Sequence, residues 1–525
     1  MSRAEHVSRG VCSRYHRPIL LSIIAVGAVL RLYHLDTFDI WRDEAQTVFL
    51  ARHSFPAGIV NALLHADVSP PLYYFLLHFW DQILASDWGL RFFSVIFGMV
   101  TIPLLYWVGL RLFDEEVAFL AALAGALSPH HIVVSRSVRM YTILPLISLL
   151  ALYAVHRFVT APTKGNRSWL RSTTWWGIVF LLTFVLYTHN VSVFLVLSLN
   201  AFFAWEMVWR KDSRRLLWPW IAAQLLVALL YLPWVPALFQ QLRSQGAVMG
   251  PWLPRQSRLS NVVRLFNELT GLAWPGSRPW LWMAVCALGT LTVRFRRALV
   301  ALYLRLSPSL NIVLFCFFGP ILLAALATPR SIGMIPSYVT LGAFPAMCYL
   351  VARGVSTARP RPLALALLLA LCAVWIQTVS VTYMRRTSNM REIAAYLWEQ
   401  AGSEDIIVIA PDYLASSFNY YFPGSQKQVA FPSTFGRVED ISWIGWLDRW
   451  EAAAQSVEPT VQYLSMELRE GGKLWFIAPL GAYPDDPHFS QIRTLKDRLD
   501  EIYGSPQSID SFPPAVESAD VLTYR

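Results

Sequence analysis

Charged residues are scarce in this chain, and they make up only 15% of its 525 residues. Soluble domains usually carry about 25% charged residues, so the composition excludes an ordinary soluble protein. Hydrophobic residues account for 55% of the chain and aromatic residues for 14%. This balance indicates a membrane protein that crosses the bilayer many times.

Cysteine is also rare, and its positions do not favour covalent cross-links or a metal centre. Four cysteines lie in apolar runs and one lies in the basic N-terminal segment, while the polar C-terminal region has none: Cys12, Cys286, Cys316, Cys348 and Cys372. This distribution argues against a disulfide framework, and no spacing among the five resembles a zinc site.

Nucleotide-binding motifs are missing as well. The sequence contains neither GxGxxG nor GxxxxGK(S/T), so it indicates neither a dinucleotide fold nor a P-loop. The net charge is +10, but the basic residues fall in short clusters between apolar runs. A single basic patch, which nucleic acid binding would require, is therefore not indicated.

Long apolar runs dominate the first three quarters of the chain. A bilayer needs roughly 20 apolar residues per helix. The runs predict spans near 17–33, 89–112, 116–134, 138–157, 174–189, 190–208, 216–239, 278–293, 309–327, 332–352 and 362–383. We expect an α-helical polytopic membrane protein with about 11–13 transmembrane helices.

The basic clusters between these runs predict the orientation in the membrane. They lie within residues 3–17, 157–171, 210–215, 294–305 and 353–361. Cytoplasmic loops are enriched in Lys and Arg, so we expect the N-terminus inside and the C-terminus outside. The N-terminal segment could alternatively be a signal peptide, but its apolar run has no polar break, which favours an uncleaved span.

The run from Pro70 to Leu84 is apolar but short. If it crossed the bilayer, every later basic cluster would move to the outer face. We therefore expect an interfacial or re-entrant helix that begins at Pro70-Pro71 and carries interfacial aromatic residues. The alternative is that this run, up to about residue 86, spans the membrane and a later one does not.

After Tyr383 the composition becomes mixed. An amphipathic helix is predicted at 390–400, and buried strands are predicted at 406–410 and 473–478. We therefore predict a transmembrane domain over 1–383, with extracytoplasmic loops 34–88 and 240–276. A small extracytoplasmic α/β domain is predicted over 384–525.

Polar side chains cluster at the predicted outer ends of the helices. Carboxylates are costly at a membrane edge, so their presence there suggests a chemical task. Arginine matches phosphate oxygens and stays charged. The combination suits a negatively charged donor held by arginines and a nucleophile activated by a carboxylate. The candidate residues are Asp43, Glu44, His65, Asp67, Arg136, Arg139, Tyr141, His189 and Arg330.

Four of these segments resemble the motifs of the GT-C membrane glycosyltransferases. They are Trp41-Arg42-Asp43-Glu44-Ala45, Pro70-Pro71-Leu72-Tyr73-Tyr74, Ser135-Arg136-Ser137-Val138-Arg139-Met140-Tyr141 and Tyr187-Thr188-His189. The most similar branch is the bacterial family related to protein O-mannosyltransferases and to the aminoarabinose transferases of lipid A. The resemblance covers about residues 17–383.

The resemblance implies a role for each candidate residue. Asp43 would act as the base, with Glu44 beside it, and donor phosphate binding would fall to Arg136, Arg139, Tyr141 and Arg330. Members of this family often carry Arg-Tyr near a late span, where this chain has Ser337-Tyr338, so Arg330 would take the place of the arginine. Asp67, His65 and His189 would bind the acceptor or a divalent metal, whose identity stays open.

The resemblance also implies the reaction. A sugar would move from a polyprenyl-phosphate donor to an acceptor hydroxyl on a lipid, polysaccharide or protein, with inversion at the anomeric carbon. The enzyme would lie in the inner (plasma) membrane with its active site outside, and it would need no nucleic acid partner.

Other interpretations remain open for the sequence. Asp43 and Glu44 could simply stabilise a helix N-terminus, and the arginines could pair with lipid headgroups. A lipid or glycan transporter or flippase is the main alternative function, although the ionisable residues lie at helix ends rather than at the midplane. A non-catalytic membrane scaffold is the third possibility.

Overall fold

The computed structural model describes residues 3–160, 169–248, 257–270, 291–296, 299–304, 307–327, 337–432, 434–480, 487–509 and 512–525. The first helices are α1 (Arg3–Leu32), α2 (Arg42–Arg52), α3 (Ala57–Ala66), α4 (Leu72–Asp81), α5 (Asp87–Leu112), α6 (Glu115–Leu127), α7 (Pro129–Ser135) and α8 (Ile143–Thr160). They are followed by α9 (Thr173–Thr188), α10 (Val193–Trp209), α11 (Leu217–Tyr231), α12 (Val235–Val248), α13 (Arg258–Thr270), α14 (Pro308–Ala327), α15 (Phe344–Thr357) and α16 (Arg361–Tyr383). Short 3₁₀ turns cover Met140–Thr142, Trp169–Arg171, Asn190–Ser192, Lys211–Leu216, Leu232–Trp234 and Ser337–Ala343.

Seven of the described helical segments are long and apolar enough to cross a membrane. The count reaches eight if the bent pair α6–α7 is one span. The multi-span helical architecture predicted from the sequence is thereby confirmed. The predicted span at 278–293 lies outside the described residues up to 290, and its last three residues begin strand β1 (Leu291–Arg296), which pairs antiparallel with β2 (Leu299–Leu304).

The span predicted at 116–134 is broken in the middle. Helices α6 and α7 meet at Ser128 with a bend of 55°, because Pro129 has no N–H to donate to the carbonyl of Gly125. Arg31, at the end of α1, donates to the Gly125 carbonyl at 2.9 Å and to the Ala126 carbonyl at 3.0 Å. The buried arginine therefore donates to carbonyls that the break leaves without a helical partner.

Three short helices, α2, α3 and α4, fill the connection between α1 and α5. Helix α4 has ten residues and is about 15 Å long, half of the roughly 30 Å hydrocarbon core. On length alone α4 is therefore too short to cross the bilayer, and an interfacial or re-entrant position stays the prediction for this run. Helix α5 then packs closely on α6, since a Cβ added at Gly109 would lie 2.8 Å from Cα of Ala118.

The C-terminal part contains a six-stranded sheet with helices around it. The strands are β3 (Ile406–Ile409), β4 (Lys427–Ala430), β5 (Thr434–Phe435), β6 (Leu474–Ala478), β7 (Gln507–Ile509) and β8 (Asp520–Tyr524). The helices are α17 (Met390–Gln400), α18 (Leu414–Tyr421), α19 (Trp446–Gln455), α20 (Glu458–Glu467) and α21 (Pro487–Tyr503). Along the sheet the order is β5-β4-β3-β6-β8-β7.

The centre of this sheet explains its apolar sequence. Strand β3 pairs parallel with β4 and β6, and the remaining pairs are antiparallel. Ile406 and Val408 belong to the core on one face, and Ile407 and Ile409 belong to the core on the other. A strand covered on both faces needs apolar residues at every position, so the predicted helix and the two predicted strands are confirmed.

Candidate active site

Helix α2 forms one wall of the candidate site, because its first turn carries the two adjacent carboxylates. Trp41 precedes the helix in an extended conformation. The Asp43 side chain is 25% exposed, and its Oδ1 lies 3.5 Å from Nε of Arg42. A carboxylate in the first turn interacts favourably with the positive end of the helix. Asp43 is therefore held in place while its carboxylate remains accessible to a reactant.

The neighbouring carboxylate of Glu44 points into the protein and is 1% exposed. Its Oε2 accepts a hydrogen bond from Nη2 of Arg91 at 2.7 Å, and its Oε1 accepts one from the Val138 backbone N–H at 2.8 Å. Arg91 also donates to the carbonyls of Leu35 and Asp39. Because both oxygens of Glu44 are engaged inside the protein, this placement does not support its predicted role in catalysis and favours a structural one.

We expect Glu44→Gln to lower the free energy of unfolding by about 2–3 kcal/mol, because the amide leaves the buried Arg91 without a counter-charge. Thermal unfolding of the detergent-solubilised protein measures this loss. The control is Glu404→Gln, which alters an exposed ion pair with Arg469 and should leave the Tm almost unchanged. A Glu44→Gln protein with wild-type Tm but no activity would instead favour a catalytic Glu44.

Arg139 lies on the turn between α7 and α8 and is 9% exposed. Its Nη1 donates to Oγ1 of Thr47 at 2.8 Å and to the Asp43 carbonyl at 3.3 Å. The same nitrogen lies 3.9 Å from Oδ2 of Asp67. Its Nε is buried and has no hydrogen-bond partner in the described part of the chain. The guanidinium therefore places a positive charge close to the first turn of α2, with one donor still uncommitted.

Asp67, which follows α3, is 3% exposed and is held by its neighbours. The Tyr74 hydroxyl donates to its Oδ2 and the Val68 N–H donates to its Oδ1, each at 2.5 Å. Asn190 donates to the Val68 carbonyl at 2.8 Å, and Gln241 donates to the Asp67 carbonyl at 3.2 Å. Asn190 and Gln241 also bond each other at 2.9 Å. Two distant segments, together with the nearby Tyr74, therefore fix Asp67 beside Arg139.

Aromatic rings form a second wall of the site. The ring of Tyr141 stacks with that of Tyr338 at 6.3 Å, and the ring of His189 lies 4.6 Å from that of Tyr338. The Arg139 guanidinium lies 5.5 Å from the centre of the Tyr141 ring. Tyr141 and His189, both predicted as site residues, are thus brought together with Arg139.

Arg136 does not join this group. Its Nη1 donates to the Tyr33 carbonyl at 2.5 Å, and its Nη2 donates to the His34 carbonyl at 2.8 Å. Its guanidinium lies 4.6 Å from the centre of the Tyr383 ring. The side chain covers the chain that follows α1, where free carbonyls attract a cation. The predicted role of Arg136 in donor binding is therefore not supported by its placement.

The remaining predicted ligands are also dispersed. His65 is exposed, and its Nδ1 bonds the Asn61 carbonyl at 2.8 Å within α3. Arg330 lies outside the described residues. No group of three or more His, Cys, Asp or Glu side chains in the described ranges could hold a metal ion. His65, Asp67 and His189 therefore do not fit a metal centre as arranged here.

Sequence reasoning missed several supporting residues. Arg91 lies within the apolar helix α5, and a charged residue inside a membrane helix was the available signal for its importance. Asn190 directly follows His189, which was recognised, but a buried amide gives no pattern in a single sequence. Thr47 lies one helical turn after Asp43 and could have been found from that spacing.

Comparison with known proteins adds to this geometry. Residues 68–236 match the family model described as dolichyl-phosphate-mannose-protein mannosyltransferase. This match covers Asp67's immediate neighbour Val68, Arg91, Arg139 and His189 but not Asp43. A search against curated protein sequences found no significant match.

Solved structures match over nearly the whole chain. The apo structure of ArnT from Cupriavidus metallidurans superimposes with a TM-score of 0.59 and 13% identity, over 96% of this chain and 97% of that one. The same protein bound to undecaprenyl phosphate gives a TM-score of 0.57, 13% identity and the same coverage. The Archaeoglobus fulgidus oligosaccharyltransferase in complex with Zn and sulfate gives 0.57 and 11% identity, over 95% of this chain and 73% of that one. The resemblance inferred from the motifs is confirmed, and this chain has the GT-C fold of membrane glycosyltransferases.

Proposed function

We propose that this protein is a membrane glycosyltransferase that moves a sugar from a polyprenyl-phosphate donor to an acceptor hydroxyl. The observation that carries the proposal is that a buried arginine, Arg139, bonds the backbone carbonyl of Asp43, whose carboxylate is accessible, at one end of a GT-C helical bundle. The match of residues 68–236 to a mannosyltransferase family model supports the same class.

Arg139 is the group best placed to hold the donor phosphate. Its Nη1 is anchored by Thr47 and the Asp43 carbonyl, while its buried Nε keeps a free donor. A phosphate oxygen that bonds this guanidinium would bring the attached sugar next to α2. The Tyr141 and Tyr338 rings would line the sugar site, and the polyprenyl chain would remain among apolar helices. A guanidinium that stabilises charge as it develops on the leaving phosphate accelerates the reaction.

The transfer is a single displacement. The acceptor oxygen forms a bond to the anomeric carbon while the bond between that carbon and the phosphate oxygen breaks. Asp43 accepts the proton of the acceptor hydroxyl as general base, and polyprenyl phosphate leaves with the bonding electrons. Attack from the face opposite the leaving group inverts the anomeric centre. Asp67 stabilises the positive charge of Arg139 rather than taking part in the bond changes.

The membrane orientation is part of the proposal. The chain has several candidate membrane helices, and the basic clusters fall in alternate loops between the apolar runs. Since cytoplasmic loops are enriched in Lys and Arg, we place the protein in the inner membrane with Asp43 and the C-terminal sheet on the extracytoplasmic face. Cysteine labelling with an impermeant reagent at Asp36→Cys, an exposed position near the site, should succeed in intact spheroplasts. Labelling only after lysis would reverse this orientation.

We also propose that residues 384–525 form a domain that selects the acceptor. This segment packs on the loops beside the site: Trp443 donates from its backbone N–H to the Ala66 carbonyl at 2.9 Å. Its indole N–H donates to Gln46 on α2 at 2.9 Å. Exchange of this segment between relatives should change the acceptor that is glycosylated. An unchanged product from the chimera would assign acceptor choice to the membrane part.

The test of the function uses proteoliposomes that contain the purified protein and a radiolabelled undecaprenyl-phosphate hexose or pentose, with membrane extract as the acceptor source. Transfer of label into a product, with release of undecaprenyl phosphate, is the expected result. Movement of the labelled lipid between leaflets without cleavage would identify a flippase instead. The absence of both reactions with every donor tested would contradict the proposal.

A further inference from the structure

Glu517 connects the C-terminal part of the chain to the candidate active site. It precedes β8 and is 8% exposed. Its Oε2 accepts a hydrogen bond from the backbone N–H of Arg42 at 3.1 Å and lies 4.0 Å from Nε of the same residue. Its Oε1 accepts from the hydroxyls of Ser417, at 2.6 Å, and Ser388, at 3.2 Å. The carboxylate therefore joins α2 to two segments of the C-terminal part.

The contact meets a specific need of α2. The first N–H groups of a helix have no partner within the helix, and they are usually satisfied by a Ser, Thr, Asp or Asn side chain just before it. Here that position holds Trp41, which has no side-chain oxygen. Glu517, 475 residues away in the chain, accepts from the N–H of Arg42, the first of these groups in α2, and its negative charge also suits the positive end of the helix.

Asp43 is the next residue after Arg42, so the cap bears directly on it. The Arg42 guanidinium lies 3.5 Å from Oδ1 of Asp43 and 4.4 Å from the centre of the Tyr413 ring. Arg42 is thus held between Glu517 and Tyr413 on one side and Asp43 on the other. Loss of the Glu517 charge would free Arg42 to neutralise Asp43 more closely and would loosen the turn that carries it.

We propose that Glu517 is a positioning residue of the reaction, which caps the first turn of α2 and thereby fixes Asp43 for proton transfer. The inference rests on the proposed glycosyltransferase function, since it concerns the base of that reaction. The proposed role of Glu517 makes the C-terminal part of the chain necessary for turnover as well as for the proposed acceptor choice.

The ionisation of Glu517 gives this role a pH dependence. Burial raises the pKa of the Glu517 carboxyl to about 7, against the opposite effects of Arg42 and of the Ser417 hydroxyl. The charged groups that act on it are Arg42 and Asp43 on α2, while Ser417 and Ser388 are neutral. Above about pH 7 the cap is charged, and it becomes neutral as the pH falls below that value.

The experiment compares the full-length wild type with Glu517→Gln, Ser417→Ala and the control Glu404→Gln in proteoliposomes, with an undecaprenyl-phosphate sugar as donor. We expect Glu517→Gln to lower kcat about tenfold, the effect of one lost cap of about 1.4 kcal/mol. Its KM for the donor should stay unchanged, and the decline in kcat below pH 7 should flatten. Ser417→Ala should move that decline to higher pH, because it removes a hydrogen bond that favours the charged form.

Hydrogen–deuterium exchange provides a readout that does not depend on activity. Glu517→Gln should raise exchange in the peptide that covers residues 41–50 and leave the strand at 406–409 protected. Unchanged exchange at 41–50 in Glu517→Gln, or a wild-type pH profile of its kcat, would overturn the proposal. Increased exchange throughout the variant would also overturn it, because Glu517 would then stabilise the whole fold rather than position Asp43. If the wild type transfers no sugar, the proposed function fails. The exchange result still shows whether Glu517 caps the first turn of α2.

Discussion

Replacement of Asp43 by Asn is expected to lower kcat for sugar transfer by about a thousandfold, within the range of roughly 10²–10⁴ that general base catalysis contributes. The amide has the same shape but cannot accept the proton of the acceptor hydroxyl. The donor should still bind, because the change leaves Arg139 and its anchors, Thr47 and the Asp43 carbonyl, in place. Steady-state transfer assays in proteoliposomes, at matched protein concentration, measure kcat and the KM for the donor.

The control for this variant is Asp36→Asn, which makes the same chemical change at an exposed position before α2. It should retain wild-type kcat. The Asp43→Asn variant should also have a Tm within about 1 °C of the wild-type value, since the carboxylate is partly exposed and surface changes alter stability little. Full activity of a folded Asp43→Asn protein would remove Asp43 as the base and direct attention to Asp67 at the same site.

Arg139→Gln is expected to raise the KM for the polyprenyl-phosphate donor and to lower kcat/KM by about 10²–10³-fold. The expected size is that of losing one preorganised donor to a developing oxyanion. Gln keeps a hydrogen-bonding side chain but loses the positive charge that we propose holds the phosphate. Binding of a fluorescent polyprenyl phosphate to the purified protein measures the affinity without turnover.

Arg136→Gln is the matched control, because it makes the same change three residues earlier in the same turn. Its guanidinium bonds the carbonyls of Tyr33 and His34 rather than facing Asp43. We therefore expect its donor affinity to equal that of the wild type, with some loss of thermal stability. Equal loss of donor affinity in both variants would show that the turn as a whole, and not Arg139 itself, holds the phosphate.

The membrane helices could be predicted from the sequence because hydrophobicity over roughly 20 residues is a strong signal. For helix α4, the short length and the charge pattern of the later loops both favour a helix that does not span the membrane. The break at Ser128 was missed because a proline within an apolar run can either kink a helix or end it. Which of the two occurs depends on whether another group, here Arg31, satisfies the exposed carbonyls.

The sequence predicted which segments form the site but not the contacts between their side chains. Asp43 and Glu44 are adjacent, and neighbouring residues on a helix point about 100° apart. Only one of the two side chains can therefore face the site. The sequence does not show which direction is buried; the presence of Arg91 on α5 decides it. Gln241 and Glu517 lie in polar segments far along the chain, and nothing local marks them as partners of α2 or of Asp67.

The ion pair between Glu44 and Arg91 has a consequence for how the protein is made. Glu44 contacts residues 47 and 94 positions later in the chain, so α2 cannot reach its final position until Val138 has left the ribosome. Helices α3 to α7 are synthesised between these two contact partners. The last contact with α2 comes from Glu517, near the end of synthesis. A chain that stops before Glu517 would therefore lack the acceptor for the first N–H group of α2.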